Sequence, residues 1–243
     1  MPPISVLIKP SSGMCNMKCD YCFYCDEMKK RMQESYGFMT EQTLKNVIRK
    51  TMLHAEGMIS YAYQGGEPTL RGIAFYEKAM EYQRHYNKRG IRVNNAMQTN
   101  GYLIDDEWCK FFRENHFLIG LSVDGTKQIH DLYRHGRRGE PTFDRIKKAA
   151  ELMDQYGVDY NILTVVTQKT AGHAAEIYNY YKEQGWKYQQ YIACLDPLGE
   201  DRGKTPYALN PEQYGMFLTE LFNLWYEAVS YTHLRAHETE ADL

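Results

Sequence analysis

Runs of apolar and β-branched residues alternate with segments of helical period along most of the chain. The extended runs are ISVLIK (4–9), ISYAYQ (59–64), IRVNNAMQ (91–98), FLIGLSVD (117–124), YNILTVVT (160–167) and YQQYIACL (188–195). Thr40 is placed to cap a first helix, which gathers Leu44, Val47, Ile48 and Met52 on one face and stops at Gly57. A second helix is expected over 72–89. Asp105 caps a third, which turns Trp108, Phe111 and Phe112 to one side. Phe143, Ile146, Ala150 and Met153 mark a fourth, and Ile177, Tyr180 and Tyr181 a fifth. Asn210-Pro211, a cap followed by proline at the first helical position, opens the last, with Phe217, Leu221, Leu224 and Trp225.

Six strand–helix repeats with short turns predict an α/β fold on a parallel sheet, because parallel neighbours need a helical crossover. A barrel and a doubly wound open sheet both fit. Both place their chemistry at the C-terminal ends of the strands. The tail SYTHLRAHETEADL (230–243) carries no apolar period. It is expected to be a non-native or disordered end, the natural sequence stopping near Val229, and neither His233 nor His237 is taken as a ligand.

Charge and composition narrow the class. Lys and Arg total 29 against 31 Asp and Glu, a formal net charge of −2, and no basic stripe stands out. That argues against nucleic-acid and anionic-membrane partners. The start, MPPISVLIKPSSG, has no basic segment followed by a long apolar run, so no signal peptide is read. No stretch approaches the roughly 20 apolar residues of a membrane span. A soluble cytoplasmic protein is expected, and in a reducing compartment clustered cysteines are metal ligands more often than disulfides. The 21 tyrosines have no functional explanation at this level.

The chemistry concentrates in MCNMKCDYCFYC (14–25), with thiols at Cys15, Cys19, Cys22 and Cys25. A structural zinc site takes four ligands, usually as two separated pairs, but Cys109 and Cys194 are single. A ferredoxin run C-x2-C-x2-C-x3-C-P fits Cys19, Cys22 and Cys25, then meets Lys29 where its fourth cysteine belongs. The third reading is C-x3-C-x2-C, formed by Cys15, Cys19 and Cys22. Three thiolates then hold three irons of a [4Fe–4S] cluster, and the open iron is free to bind a small molecule.

That spacing, directly after the first strand and with Tyr24 two residues past the last ligand, resembles the radical S-adenosylmethionine (SAM) enzymes. Further motifs fall at successive strand ends: QGGEP (64–68), QTNG (98–101), SVDG (122–125) with Arg134 beyond it, and ACLDPLGE (193–200). IKPSSGMCNMKCDYCFY, YQGGEPTL, QTNG, FLIGLSVDG, NILTVVT and CLDPL, in this order, are similar to the anaerobic sulfatase-maturating enzymes over about residues 3 to 229.

The resemblance implies a radical SAM partial (β/α)6 TIM-like barrel over residues 1–229. It implies a [4Fe–4S] cluster on Cys15, Cys19 and Cys22, with SAM contacted by Tyr21, Gly66, Ser122, Arg134 and Leu195. Ser122 and Arg134 would take the methionyl carboxylate, a group suited to arginine. Gly65, Gly66 and Glu67 would offer acceptors to the methionyl ammonium. Tyr24 and Gln64 would line the place where the adenosyl group meets its target. The implied reaction oxidises a Cys or Ser, within C/S-x-P-x-R of an unfolded sulfatase, to Cα-formylglycine. The implied electron donor is a ferredoxin or flavodoxin.

Two departures stand out. Cys25 lies outside the family pattern and is expected to be a spare buried thiol. The family's SPASM domain, with its auxiliary clusters and catalytic base, is expected beyond residue 229, so no base is assigned and poor solubility is expected from uncovered apolar surface. The alternatives are another radical SAM/SPASM peptide maturase, or a non-catalytic iron–sulfur protein, which would need neither QGGEP nor six repeats.

Overall fold

The computed structural model describes residues 3–228 and the backbone of 233 and 234. In chain order the elements are β1 (Ile4–Ile8), β2 (Met17–Cys19), α1 (Phe23–Lys29), α2 (Glu41–His54), β3 (Met58–Tyr63), a 3-10 turn (Pro68–Arg71), α3 (Ile73–Tyr86), β4 (Arg92–Thr99), α4 (Asp106–Glu114) and β5 (Phe117–Ser122). There follow α5 (Lys127–Tyr133), β6 (Arg134–Gly136), α6 (Phe143–Tyr156), β7 (Asp159–Val166), α7 (Gln168–Ala171), α8 (Ala174–Glu183), β8 (Tyr188–Ala193), α9 (Pro211–Glu227) and β9 (His233–Leu234).

The chain divides into two compact units. The first takes the chain up to Asn16, then Met28–Gly120 and Lys148–Asp159. Its strands run in the order β1, β3, β4, β5, with β1–β3 and β3–β4 parallel. Strand β3 alternates as the pleat requires, burying Ile59, Tyr61 and Tyr63. Leu44, Ile48 and Met52 of α2 are buried, as are Phe75, Tyr76, Ala79 and Met80 of α3. Tyr63, Tyr76, Trp108, Phe111, Phe112 and Phe117 form one aromatic cluster with ring centroids 5.1–6.4 Å apart. Most of these rings meet edge to face or tilted, and Tyr63 with Phe117 is stacked, arrangements their quadrupoles favour over a face-to-face sandwich.

The second unit takes Met17–Glu27, Leu121–Lys147 and the chain from Tyr160. Here the end of β5 is followed in order by β7 and β8, the latter two parallel, and β9 adds to β8 with His233 opposite Tyr188. A separate antiparallel pair, β2 with β6, sets Cys19 opposite Arg134. Helix α9 buries Phe217 and Leu221 and leaves Met216, Phe222 and Tyr226 exposed.

The parallel α/β class expected from the sequence is the one observed, and each of the extended runs becomes a strand. The helix caps also stand. Thr40 Oγ1 accepts from Thr43 N at 3.1 Å, Asp105 Oδ1 from Trp108 N at 3.1 Å, and Asn210 Oδ1 from Gln213 N at 2.8 Å. Gln213 Oε1 returns the bond to Asn210 N at 3.3 Å, completing a capping box.

Some details differ. In α8 it is Tyr178 with Tyr181 that enters the core, while Tyr180 is half-buried. Tyr61, Tyr63, Tyr76, Tyr178 and Tyr181 are among the largest fully buried side chains, so part of the tyrosine excess is core. The tail reading falls outside the described residues, apart from the two-residue strand β9. No helix among the described residues is long and apolar enough to cross a membrane.

Candidate functional site

In the first unit, the turn after β3 is stitched to the loop after β1. Gln64 N donates to Ile8 O at 3.0 Å, Gly66 N to Ser12 O at 3.0 Å, and Glu67 N to Met14 O at 2.7 Å. The two glycines serve different ends. Gly65 has φ +111°, a backbone conformation that side chains resist. Gly66 is not among the positive-φ glycines but has no room, since a Cβ there would lie 2.1 Å from the Met14 carbonyl oxygen.

The carboxylate of Glu67 is 1 % exposed and turned into the protein. Its Oε1 accepts from Thr69 N at 2.9 Å, Thr69 Oγ1 at 2.6 Å and Thr99 Oγ1 at 2.8 Å, and its Oε2 from Asn100 N at 2.8 Å. Burial pushes this carboxyl above the ordinary range, against the pull of those donors. Glu67 thus ties QGGEP to QTNG and spends its oxygens on its own chain, where the sequence suggested a ligand's ammonium.

Asn100, just after β4, reaches the loop after β1. Its Nδ2 donates to Asn16 Oδ1 at 2.8 Å and to Cys15 Sγ at 3.5 Å. The loops after β1, β3 and β4 therefore meet at Cys15, with Gln64, half-buried, beside them in the chain.

The second unit carries Cys19, Tyr21, Cys22, Tyr24, Ser122, Arg134 and Leu195. Cys22 precedes α1, and its carbonyl accepts from Cys25 N at 3.1 Å and Asp26 N at 3.2 Å. A hydrogen bond from the Cys25 side chain, then backbone N–H groups of Cys25 and Tyr24 and the charge of Arg134, bring the Cys22 thiol down to about 6. Cys25 is half-buried, and its thiol supports that of Cys22.

Arg134 begins β6 and is 5 % exposed. Burial opposes its charge, but Tyr21, Cys19 and Asp124 around it keep it protonated. Its Nη1 donates to the Tyr21 hydroxyl at 2.9 Å, and that hydroxyl donates to Asp124 Oδ2. Arg134 Nε is buried without a partner among the described residues. Ser122 ends β5 half-buried, Tyr24 is half-buried against the Phe23 ring, and Leu195 is 66 % exposed.

The SVDG turn is braced from below. Tyr181 OH donates to Val123 O at 2.8 Å and accepts from Gly125 N at 2.7 Å. His130 is fully buried, accepts from Asp124 N at its Nδ1 (3.2 Å), and has Nε2 3.2 Å from Thr142 Oγ1. The sequence points to neither Asp124 nor His130 as a site residue; the aspartate appears only within the strand-end motif SVDG.

Burial, then the charge of Arg134, holds the His130 imidazole well below its usual value. The unfolded chain therefore takes up a proton near pH 6.5 that the folded chain refuses, and stability contributed by neutral His130 is lost as pH falls below that point. Wild type should lose more stability between pH 7 and 5 than His130→Asn, by up to about 1.4 kcal/mol per pH unit. Parallel urea titrations check this; equal slopes would refute it.

Among the described residues no three His, Cys, Asp or Glu side chains gather round a single point as ligands of one metal ion. The thiols of a four-iron cluster each take a different iron, so convergence on one point is not what that cluster asks for.

Comparison with known proteins places the chain. The Radical SAM superfamily profile matches residues 10–181. A cysteine-type anaerobic sulfatase-maturating enzyme of Clostridium perfringens is 49 % identical over 227 residues, covering 93 % of this chain and 61 % of that protein. A serine-type anaerobic sulfatase-maturating enzyme of Bacteroides thetaiotaomicron is 32 % identical over 239 residues, covering 92 % of this chain and 57 % of that protein. The chain thus spans less than two thirds of the length of these curated relatives.

Among solved structures, native anSMEcpe with bound AdoMet superposes with a TM-score of 0.92 at 47 % identity, covering 96 % of this chain and 64 % of that one. Streptococcus suis SuiB bound to S-adenosylmethionine shares the fold alone, with a TM-score of 0.70 at 14 % identity, covering 98 % of this chain and 51 % of that one. The profile takes in well over half of the 243 residues, including the whole cysteine loop and the turns after β3, β4 and β5, and the chain belongs to the radical SAM superfamily.

Proposed function

We propose that this chain binds a [4Fe–4S] cluster and SAM and forms the SAM-cleaving part of an anaerobic sulfatase-maturating enzyme. The reading is carried by the C-x3-C-x2-C spacing of Cys15, Cys19 and Cys22 after β1, with the Cys15 end tied by hydrogen bonds to the turns after β3 and β4. The 49 % identity to a cysteine-type maturating enzyme supports the substrate assignment.

The donor set fits both groups. Three closely spaced thiols suit a cluster with one open iron. The buried, unpartnered Nε of Arg134 suits a carboxylate, with Ser122, two residues before Asp124, as a second donor. With Glu67 committed to its own chain, the carbonyls of Gly65 and Gly66 are left to accept the ammonium. Tyr21 holds Arg134 in place. Leu195 offers an exposed apolar face to the adenine, and Tyr24 and Gln64, both half-buried, are the residues that the family resemblance assigns to the approach of the target side chain.

A [4Fe–4S] cluster held by Cys15, Cys19 and Cys22 would supply the one-electron chemistry for reductive cleavage of SAM, the source of a hydrogen-abstracting 5′-deoxyadenosyl radical. The protein's part is to aim that radical at one C–H bond and exclude alternatives. The target is a Cys or Ser within C/S-x-P-x-R of an unfolded sulfatase, and the donor of electrons a ferredoxin or flavodoxin. A cytoplasmic site of action goes with both partners.

The test is anaerobic. Protein reconstituted with iron and sulfide is reduced with dithionite, given SAM, and assayed for 5′-deoxyadenosine, then for formylglycine in a C-x-P-x-R peptide. 5′-Deoxyadenosine is the expected product. A fully loaded cluster that yields none overturns the reading.

A further inference from the structure

In the second unit Arg134 is the end of a closed circuit of hydrogen bonds. Its guanidinium donates to Tyr21 at 2.9 Å, and Tyr21 donates to Asp124. The other Asp124 oxygen accepts from Val165 N at 2.9 Å, which fixes the carboxylate against β7. The Asp124 N–H donates to His130, the opposite ring nitrogen of His130 faces the Thr142 hydroxyl, and that hydroxyl donates to the Arg134 carbonyl at 2.9 Å. Side chain and main chain of Arg134 are thus both held from Asp124.

The order of groups matters. A carboxylate set directly against the guanidinium would occupy the N–H groups that an incoming anion needs. With the Tyr21 hydroxyl between them, Asp124 orients the cation and leaves Nε without an acceptor. Tyr21 also sits between Cys19 and Cys22, so the same hydroxyl anchors the cysteine loop. The Asp20 N–H adds a second anchor, donating to Tyr133 O at 2.9 Å.

We propose that Asp124 is a positioning residue which, through Tyr21, sets the Arg134 guanidinium and the Cys19–Cys22 loop together, so that one carboxylate controls both carboxylate binding and the environment of the cluster. This rests on the reading of Arg134 as the SAM carboxylate ligand.

The test uses the whole chain, reconstituted, as wild type, Asp124→Asn, Tyr21→Phe and the double variant. SAM affinity is measured by equilibrium dialysis, and the reduced cluster is recorded by EPR with and without SAM. Iron content and thermal midpoint are followed alongside. Each single variant should bind SAM about tenfold to a hundredfold more weakly, the effect of losing a hydrogen bond to a charged group. The double variant should be no worse than the weaker single, because both substitutions break one relay. The EPR change on adding SAM should be diminished in all three.

Tyr21→Phe leaves the bonds from Asp124 to Val165 and His130 in place, so it carries the test alone if Asp124→Asn does not fold. Iron-loaded variants that bind SAM within twofold of wild type, or a lowered thermal midpoint with unchanged affinity and EPR, would overturn the positioning role. Wild type that holds its cluster yet binds no SAM would overturn the underlying reading, and this inference with it.

Discussion

Cys15→Ala, Cys19→Ala and Cys22→Ala are each expected to reduce 5′-deoxyadenosine formation to background, while Cys25→Ala retains it. Two triplets compete within the loop. Cys15, Cys19 and Cys22 make C-x3-C-x2-C, and Cys19, Cys22 and Cys25 make the start of a ferredoxin-like run. The surroundings favour the first. Asn100 directs a side-chain N–H at Cys15 Sγ, the kind of donor that stabilises a thiolate and tunes a cluster. Cys25 lies within α1 and gives its thiol hydrogen bond to Cys22, a supporting position. Assaying the four variants at matched iron and sulfide separates the cases. Activity that survives in Cys15→Ala and disappears in Cys25→Ala would place the cluster on the shifted triplet.

The fold was legible because its elements repeat. Strands of five to eight residues in β1, β3, β4, β5, β7 and β8 are long enough to carry a pattern, and caps such as Thr40, Asp105 and Asn210 mark the helices between them. The three-residue strands β2 and β6 carry no period at all, so the pairing that sets Cys19 opposite Arg134 was invisible. So was helix α1, whose seven residues follow the last cluster ligand and bury none of their side chains.

The site was half legible for a related reason. Cysteine spacing and glycine pairs survive as local strings. The partners that hold them come from far along the chain, as Glu67 meets Asn100 and Tyr21 meets Asp124. Residue type misled where one side chain could serve two masters. Glu67, expected to meet a ligand's ammonium, bonds to Thr69, Thr99 and Asn100, whereas Asn100, visible in the sequence only as part of QTNG, reaches a thiol.

The same distinction makes Gly66→Ala the second large expected effect. The bland account of a glycine pair is a tight turn, and Gly65, at φ +111°, fits it. Gly66 is different, because its difficulty is contact. A methyl group there would sit 2.1 Å from Met14 O and 2.5 Å from Gly13 C, both main-chain atoms that no rotamer change can move aside. Relief requires parting the β3 turn from the loop that leads to Cys15, breaking the Gly66–Ser12 and Glu67–Met14 hydrogen bonds. Overpacking of this kind costs about 3 kcal/mol or more when main chain must shift. For a domain of this size that lowers the thermal midpoint by about 6–12 °C. Iron content after reconstitution should fall with it, since Cys15 moves with the loop. Gly215→Ala in α9 is the matched control: nothing lies within 4 Å of its added methyl, and alanine in a helix interior should stabilise by about 0.5–1 kcal/mol. If Gly66→Ala melts with wild type and loads a full cluster, the close approach of the two loops is wrong, and the GG pair is only a turn.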